Sequence, residues 1–136
     1  MKIKTLVAVL LLSGGVTSTF AQSDCNANSS ISHEAVRAKN FKDAYAPCMA
    51  VLKDCPTLRY YTYTDAQKIL TGLMSQIKDR NSAEYKKLFD ELMAVHDQKM
   101  KYIPEFASKM KGVPSVASAL GTKAVDYLQY APAPDL

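Results

Sequence analysis

Three cysteines and two histidines are the side chains of this chain best suited to redox, metal or nucleophilic chemistry. Three cysteines form at most one bond within the chain and leave one thiol over. Cys48 and Cys55 are seven residues apart on one predicted helix, which separates them by about 10.5 Å along the helix axis. That distance exceeds the limit of about 7 Å between the Cα atoms of a disulfide. The spacing therefore excludes a Cys48–Cys55 bond and leaves the partner of Cys25 open.

The two histidines do not lie in a catalytic or metal-binding pattern. His33 is followed by Glu34 but not by a second histidine four residues on, as a zinc protease requires. His96 falls on the apolar stripe of a predicted helix, where a core histidine is the better interpretation. The glycines, at positions 14, 15, 72, 112 and 121, are too scattered to form a phosphate-binding loop. We therefore predict no catalytic residues, no metal site and no cofactor, and we predict that the protein is not an enzyme.

The first residues have the layout of a secretory signal peptide. Lys2 and Lys4 precede an apolar run over 5–12, and Thr19 and Ala21 supply small residues before a cleavage site. The run is too short for a membrane span, which needs roughly 20 residues, so an uncleaved anchor is the less favoured alternative. We predict a signal peptide over 1–21, no membrane span in the mature chain, and export to the periplasm or cell envelope. An oxidising compartment of this kind permits a disulfide.

Length and charge indicate a single domain without a strong electrostatic bias. The chain has 136 residues, of which 48% are hydrophobic and 22% charged, and its formal net charge is +4. Removing Lys2 and Lys4 leaves 15 basic and 13 acidic side chains. This balance is too small to hold the protein on nucleic acid, so we expect no nucleic-acid partner.

Apolar residues recur with the period of amphipathic helices, and no segment alternates as a strand does. The aromatic segment 60–64 is the best strand candidate, but it is short and has no hairpin partner, so we assign it to a helix start. The predicted helices cover about 31–39, 41–55, 58–79, 81–103 and 114–130. We expect caps from the segment 28–30 and from Asn81 with Glu84, and a helix end at Pro104. Short turns between such helices make neighbours antiparallel.

Residues 25–58 resemble a tetratricopeptide repeat, a 34-residue helix–turn–helix unit. The resemblance is clearest where Phe41 is followed by two polar residues and the small Ala44, with Pro56 twelve residues later as the closing proline. Ile31 matches an apolar position of the first helix, and Val51 replaces a usual alanine. The positions that depart from the family pattern are Asn28, Ser32, Ala35 and Cys48. Together with the signal peptide, these features make the chain similar to exported bacterial tetratricopeptide-repeat proteins.

The resemblance implies an all-α fold in which antiparallel helical hairpins stack as a right-handed α-solenoid of about five helices. The helical domain then covers 22–130, with a first repeat of about 25–58 and a proline-rich tail over 131–136. In this register Cys25 opens the first helix of the repeat and Cys55 ends the second, so the resemblance implies a Cys25–Cys55 disulfide. Cys48 would then remain a free, buried thiol.

The repeat fold also implies a way of working, because stacked hairpins leave a concave groove lined by their first helices. We therefore predict a non-enzymatic adaptor that binds a protein or peptide partner in this groove. The candidate partner-binding residues, taken from the first, third and fifth helices, are Arg37, Tyr61, Gln67, Lys68 and Lys123. A small exported carrier that holds an apolar ligand inside its bundle is the alternative.

The fifth helix leaves two interpretations of the C-terminal end. In one, its apolar stripe has no following helix to cover it, which is typical of a chain that leads into further repeats. In the other, this helix folds back onto the fourth and the tail is disordered. The stripe consists of Val116, Leu120, Ala124, Tyr127 and Leu128.

Overall fold

The computed structural model describes residues 24–133, and the predicted signal peptide lies outside this range. Within it the chain is all-helical, with five helices and no strand. Helix α1 covers 24–37, α2 covers Phe41–Asp54, α3 covers Tyr61–Met74, α4 covers Ala83–Lys109 and α5 covers Val116–Tyr130. The predicted all-α fold is confirmed, and segment 61–64 opens α3 rather than forming a sheet.

Successive helices pack against each other and run antiparallel. The disulfide between Cys25 and Cys55 ties the start of α1 to the end of α2. Tyr63 at the start of α3 packs edge-on against Phe106 near the end of α4, with ring centroids 6.0 Å apart. The α2–α3 and α4–α5 pairs are also in contact. This sequential packing is that of stacked helical hairpins, as predicted.

Alternate helices lie side by side and run parallel, which places α1 beside α3 and α2 beside α4. His33 of α1 hydrogen-bonds to Asp65 of α3 at 2.8 Å. Tyr45 of α2 donates to Glu91 of α4 at 2.7 Å. Two further contacts keep the same directions, Ser29 with Tyr61 and Gln98 with Leu52. The hairpins α1–α2 and α3–α4 are therefore stacked with their first helices on one side and their second helices on the other.

The core lies between these two sides and is built mainly from the inward faces of α2, α3 and α4. Core residues with no exposed surface are Ala44, Cys48, Ala66, Ile69, Leu70 and Leu92. All of them lie within the helices predicted over 41–55, 58–79 and 81–103. Phe41 packs so closely on Gly72 that a side-chain carbon at Gly72 would collide with the aromatic ring. The missing side chain therefore sets the approach of α2 to α3 at this point.

Helix α1 differs from its predicted form. It already covers residue 24, so the predicted start at 31 and the cap at 28–30 are wrong. Ile31, expected to be a core position, is 56% exposed. The buried positions of α1 are Cys25, Ser29, Ser32 and Val36. Serine occupies two of these positions, where its small side chain allows α3 to approach closely. The buried Ser32 hydroxyl is satisfied because it donates to the Ser29 carbonyl at 3.2 Å.

Helix α4 is longer than predicted at its C-terminal end. It continues through Pro104 to Lys109, although proline lacks the N–H donor of one helical hydrogen bond. Phe106 is buried against α3 and holds the last turn in place. Tertiary packing thus outweighs the local cost of the proline. Within residues 24–133, no helix is both long enough and apolar enough to cross a bilayer.

The other helix boundaries differ from prediction by a few residues. The N-cap of α4 is Ser82 rather than Asn81, because the Ser82 hydroxyl accepts the backbone N–H of Tyr85 at 3.2 Å. Helix α3 ends at Met74 instead of continuing to 79. These boundary differences do not change the order of the helices or which helices pack together.

Candidate functional site

A groove lies between the two first helices, α1 and α3. It has a volume of about 510 Å³. We call it the α1–α3 groove, and its lining residues are His33, Val36, Arg37, Lys39, Phe41, Asp65, Lys68, Thr71, Gly72, Ser75 and Tyr130. The parallel course of α1 and α3 places both helices along this surface, and the Ser29–Tyr61 and His33–Asp65 hydrogen bonds connect them.

Basic side chains dominate the charged groups of the groove. Arg37, Lys39 and Lys68 are all exposed at its edges. The carboxylate in the lining belongs to Asp65, whose side chain is only 4% exposed and hydrogen-bonds to His33. The positive charges therefore face solvent, whereas the negative charge is buried and already partnered.

Lys39 occupies this edge in an uncommon backbone conformation. Its φ is +57°, in the left-handed region. The Lys39 N–H donates to the Val36 carbonyl at 2.9 Å, and the Asn40 N–H donates to the Ala35 carbonyl at 2.8 Å, which together close the end of α1. Glycine is the usual residue at such a position, because a side chain there costs roughly 1–2 kcal/mol.

A polar network next to the groove fixes the orientation of α1 relative to α3. The Tyr61 ring lies 4.5 Å from the imidazole of His33. Arg59 donates to the Tyr61 hydroxyl at 2.8 Å and to the Ser29 hydroxyl at 3.1 Å. Ser29 has no exposed surface. The network therefore holds His33 and Tyr61 rigidly beside the groove.

The predicted partner-binding residues fall into two groups. Arg37 and Lys68 line the groove, and Tyr61 packs on His33 at its side. Gln67 instead donates to Asp126 of α5 at 2.8 Å. Lys123 donates to Asp97 of α4 at 2.6 Å, a contact that fixes α5. The last two side chains thus hold helices together and do not line the groove.

The sequence prediction named Arg37 and Lys68 of the groove lining but not the other lining residues, which include Lys39 and His33. Lys39 gives no sequence signal, because its left-handed conformation follows from how α1 ends and not from its residue type. His33 was considered as a metal ligand, whereas its partner is Asp65, 32 residues further along the chain. A pairing at that separation becomes visible only when α1 and α3 are placed side by side.

A second polar cluster is buried where α3, α4 and α5 meet. Asp126 of α5 accepts from Gln67 at 2.8 Å and lies 2.7 Å from Nε2 of His96. Since a carboxylate can only accept, Nε2 carries the hydrogen of this bond. Nδ1 of His96 has no hydrogen-bond partner among residues 24–133. A second proton there would be buried without an acceptor, which favours the neutral imidazole.

Burial sets the protonation of the basic groups in this cluster. It lowers the pKa of His96 from its ordinary value of 6.5, against the opposing attraction of Asp126, and nearby Lys99 acts in the same direction as burial. Burial also lowers the pKa of Lys99. The prediction that His96 is a core histidine is confirmed, since it is only 1% exposed.

The disulfide and the free thiol agree with the predicted register. Cys25 and Cys55 are bonded, with their Cα atoms 6.3 Å apart, and Cys48 is free and buried. Burial raises the pKa of the Cys48 thiol to about 12, and the nearby Asp65 carboxylate adds to the effect. The thiolate that a nucleophile requires is therefore disfavoured. Among residues 24–133, no group of three or more His, Cys, Asp and Glu side chains is placed to hold a metal ion.

Helix α5 presents a different kind of surface. It packs on α4, but its buried residues are Ala119 and Asp126 rather than the predicted apolar stripe. Leu128 is 82% exposed, and the other stripe residues are also exposed, although Tyr127 packs on Phe89 of α4 with ring centroids 5.7 Å apart. Helix α5 therefore folds onto α4, as one of the two interpretations predicts, while the predicted stripe stays exposed. The end of the predicted tail, 134–136, lies outside the described residues.

Comparisons with protein-family models, with curated proteins and with solved structures return no match. The protein is therefore described by its own fold and site. It is an all-α stack of antiparallel hairpins, with a disulfide across its first hairpin and a basic groove between its two first helices.

Proposed function

We propose that the protein is an exported, non-enzymatic adaptor of the tetratricopeptide-repeat type, which binds a protein or peptide partner in the α1–α3 groove. The observation that carries this proposal is the parallel placement of α1 and α3 with an open groove between them. First helices of stacked hairpins form the binding surface in helical-repeat proteins. The groove volume, about 510 Å³, is in the range that accommodates a few side chains of a peptide.

Two further observations support the proposal. The disulfide is compatible with export to an oxidising compartment. The network of Ser29, Arg59 and Tyr61 holds the groove walls in a fixed position. A groove that is already formed loses less conformational entropy on binding than one that must be ordered.

The apolar-carrier alternative requires an enclosed apolar cavity. Besides the α1–α3 groove, cavities lie between α2, α3 and α4, along α5, and between α2 and α4. All four include exposed side chains in their lining, so each of them opens to solvent. The α1–α3 groove, moreover, is edged by Arg37, Lys39 and Lys68. These features favour a peptide over an apolar ligand, and native mass spectrometry showing a bound lipid-sized molecule would favour the carrier.

Site-specific photocrosslinking tests the adaptor function. A photoreactive phenylalanine analogue is placed at Ser75, which lines the groove without contributing charge. The matched control carries it at Lys86, an exposed α4 residue outside the four cavities. In a cell-envelope extract of the source organism, we expect a discrete crosslinked partner at position 75 and none at position 86. Equal labelling at both positions, or labelling at 86 alone, would contradict the proposal.

A further inference from the structure

We propose that the α1–α3 groove selects an acidic peptide segment, whose Asp and Glu carboxylates bind Arg37, Lys39 and Lys68. This inference rests on the proposed adaptor function and specifies its ligand. It follows from the distribution of charge, of apolar surface and of backbone conformation within the groove.

The ammonium groups of the groove lack intramolecular partners. Among residues 24–133, neither Lys39 nor Lys68 has a carboxylate within 4.0 Å. Asp65 is buried and bonded to His33, so it does not neutralise the groove edge. A ligand carboxylate would therefore meet two available cations at the surface without displacing an existing ion pair.

Arg37 is the third cation of the groove, and Glu34 competes only weakly with a ligand carboxylate for it. Its guanidinium lies 3.1 Å from Glu34, but both side chains are 69% exposed. Exposed ion pairs of this kind contribute little. A ligand carboxylate can therefore replace Glu34 with a small loss, and removing Glu34 is expected to strengthen binding.

Apart from Asp65, which is buried and paired with His33, the groove lining contains no acidic side chain. Val36 and Phe41 supply apolar surface, and Gly72 adds no side chain. The hydroxyls of Thr71 and Ser75 donate to carbonyls of their own helix, at 2.8 and 2.7 Å. The floor thus accommodates apolar parts of a peptide while the edges bind its carboxylates.

Lys39 combines a position at the groove edge with an uncommon backbone conformation. It holds a left-handed backbone position that glycine would occupy without strain. Strained residues of this type tend to cluster at functional sites. Lys39 also lines the groove, so the strained residue and the charged edge coincide.

The second cavity, of about 490 Å³, shows what sets this groove apart. It lies between α2, α3 and α4, and its lining includes Lys42 and Lys87 but also Glu84. Its charged groups are thus mixed and accessible. In the α1–α3 groove the exposed cations are not balanced by an exposed acid of the lining.

Fluorescence polarisation with the full chain and short labelled peptides tests the inference. The probes are a Glu–Ala peptide, its Gln–Ala counterpart, a Lys–Ala peptide and a single-stranded oligonucleotide. We expect the Glu–Ala peptide to bind roughly tenfold or more tightly than the Gln–Ala peptide. Binding should weaken with added salt, because screening shortens the reach of exposed charges.

Substitutions of single residues test whether the peptide binds in the α1–α3 groove. Lys39→Gly, Lys68→Gln and Arg37→Gln are each expected to weaken the Glu–Ala peptide by roughly three- to tenfold. Lys39→Gly relieves backbone strain, so unfolding cannot explain its loss of binding. Glu34→Gln should tighten binding about twofold, and Lys86→Gln, the matched surface control, should leave it unchanged within about twofold.

The outcomes separate this inference from the adaptor function. If the Gln–Ala peptide binds as tightly and blocks crosslinking at position 75, the acidic selection is wrong and the adaptor function stands. If no peptide binds and position 75 captures nothing, both are wrong. If the oligonucleotide binds as tightly as the Glu–Ala peptide, the groove takes polyanions in general, and the peptide assignment is overturned.

Discussion

The two ends of the helical stack are attached by different physical means. At the N-terminal end, α1 is bonded to α2 through Cys25–Cys55 and packs on α3 through buried serines. At the C-terminal end, α5 buries only Ala119 and Asp126, and a hydrogen-bonded carboxylate holds it in place. One fold therefore combines a covalently fixed end with an end held largely by polar contacts.

The two ends also present different chemistry to solvent. The N-terminal end displays the α1–α3 groove, with cations at its edges. The C-terminal end displays the apolar stripe of α5, including the highly exposed Leu128. Sequential packing alone therefore does not determine which surface is suited to a partner. That depends on which side chains remain exposed after the helices have packed.

Removing the disulfide, which fixes the N-terminal end, is expected to have the largest effect on the free energy of unfolding. Replacing Cys25 and Cys55 by alanine opens a loop that spans 30 residues of sequence separation. The loop-entropy estimate gives a loss of about 3–4 kcal/mol in the free energy of unfolding. Urea unfolding with and without reductant measures it.

The free thiol supplies the control for that experiment. A Cys48→Ala variant should keep the sensitivity of the wild type to reductant, whereas the double variant should lose it. If Cys48→Ala abolished the response to reductant, the pairing of Cys25 with Cys55 would be wrong.

A matched pair of leucines compares the core with the α5 surface. Leu92 has no exposed surface, whereas Leu128 is 82% exposed. Leu92→Ala should lower the free energy of unfolding by about 3 kcal/mol, through lost burial and the cavity left behind. Leu128→Ala should change it by less than about 0.5 kcal/mol. Similar losses in the two variants, measured by urea unfolding, would show that Leu128 is covered in solution.

Removing the carboxylate of Asp126 should loosen the C-terminal end selectively. Asp126→Ala leaves the Gln67 and His96 donors without their acceptor, which weakens α5 docking by about 2 kcal/mol. Hydrogen exchange should then accelerate across 116–130 and stay unchanged in α1 and α2. Asp90→Asn is the matched control, because Asp90 is an exposed acidic residue of α4 that makes no hydrogen bond or ion pair among residues 24–133. Uniform acceleration over all five helices would contradict the local role of Asp126.

A pH dependence is the smallest expected effect. The pKa of His96 is lowered in the folded protein, so the unfolded chain binds the extra proton more readily as pH falls. The stability is unaffected above about pH 6.5 and decreases as pH drops below it, until the folded-state pKa is passed. The charged groups that act on the pKa of His96 are Asp126, Lys99 and Lys123.

The variant His96→Gln isolates this effect. It retains an amide donor for Asp126 but does not titrate. Below pH 6.5 the urea midpoint of the wild type should therefore fall relative to that of the variant. A difference that stays constant between pH 5 and 8, or that changes in the opposite direction, would contradict a neutral buried His96.

The sequence predicted the parts of the fold that depend on apolar periodicity. The stripes of α2, α3 and α4 were found because leucine, isoleucine and phenylalanine mark their buried faces. The faces of α1 and α5 were not found, because serines and Asp126 are buried there while Ile31 and Leu128 are exposed. In both helices the partner side chains, not the residue types of the helix itself, decide which face is buried.

The candidate site could be predicted only in outline. The resemblance to a tetratricopeptide repeat indicated which helices form the groove, and Arg37 and Lys68 do line it. Lys39 and the His33–Asp65 pair depend on the end of α1 and on the relative position of two helices. Gln67 and Lys123 were chosen from helix order alone. Helix order does not predict that they bind Asp126 and Asp97.

The most direct test of the proposed function is amide chemical-shift mapping of the full chain titrated with the Glu–Ala peptide. We predict that the perturbed amides lie along both walls of the α1–α3 groove, at Arg37, Lys39 and Lys68 and their neighbours, and that the α5 stripe is unaffected. Perturbations centred on Leu120 and Leu128, with none in α1, would contradict the groove as the partner-binding surface.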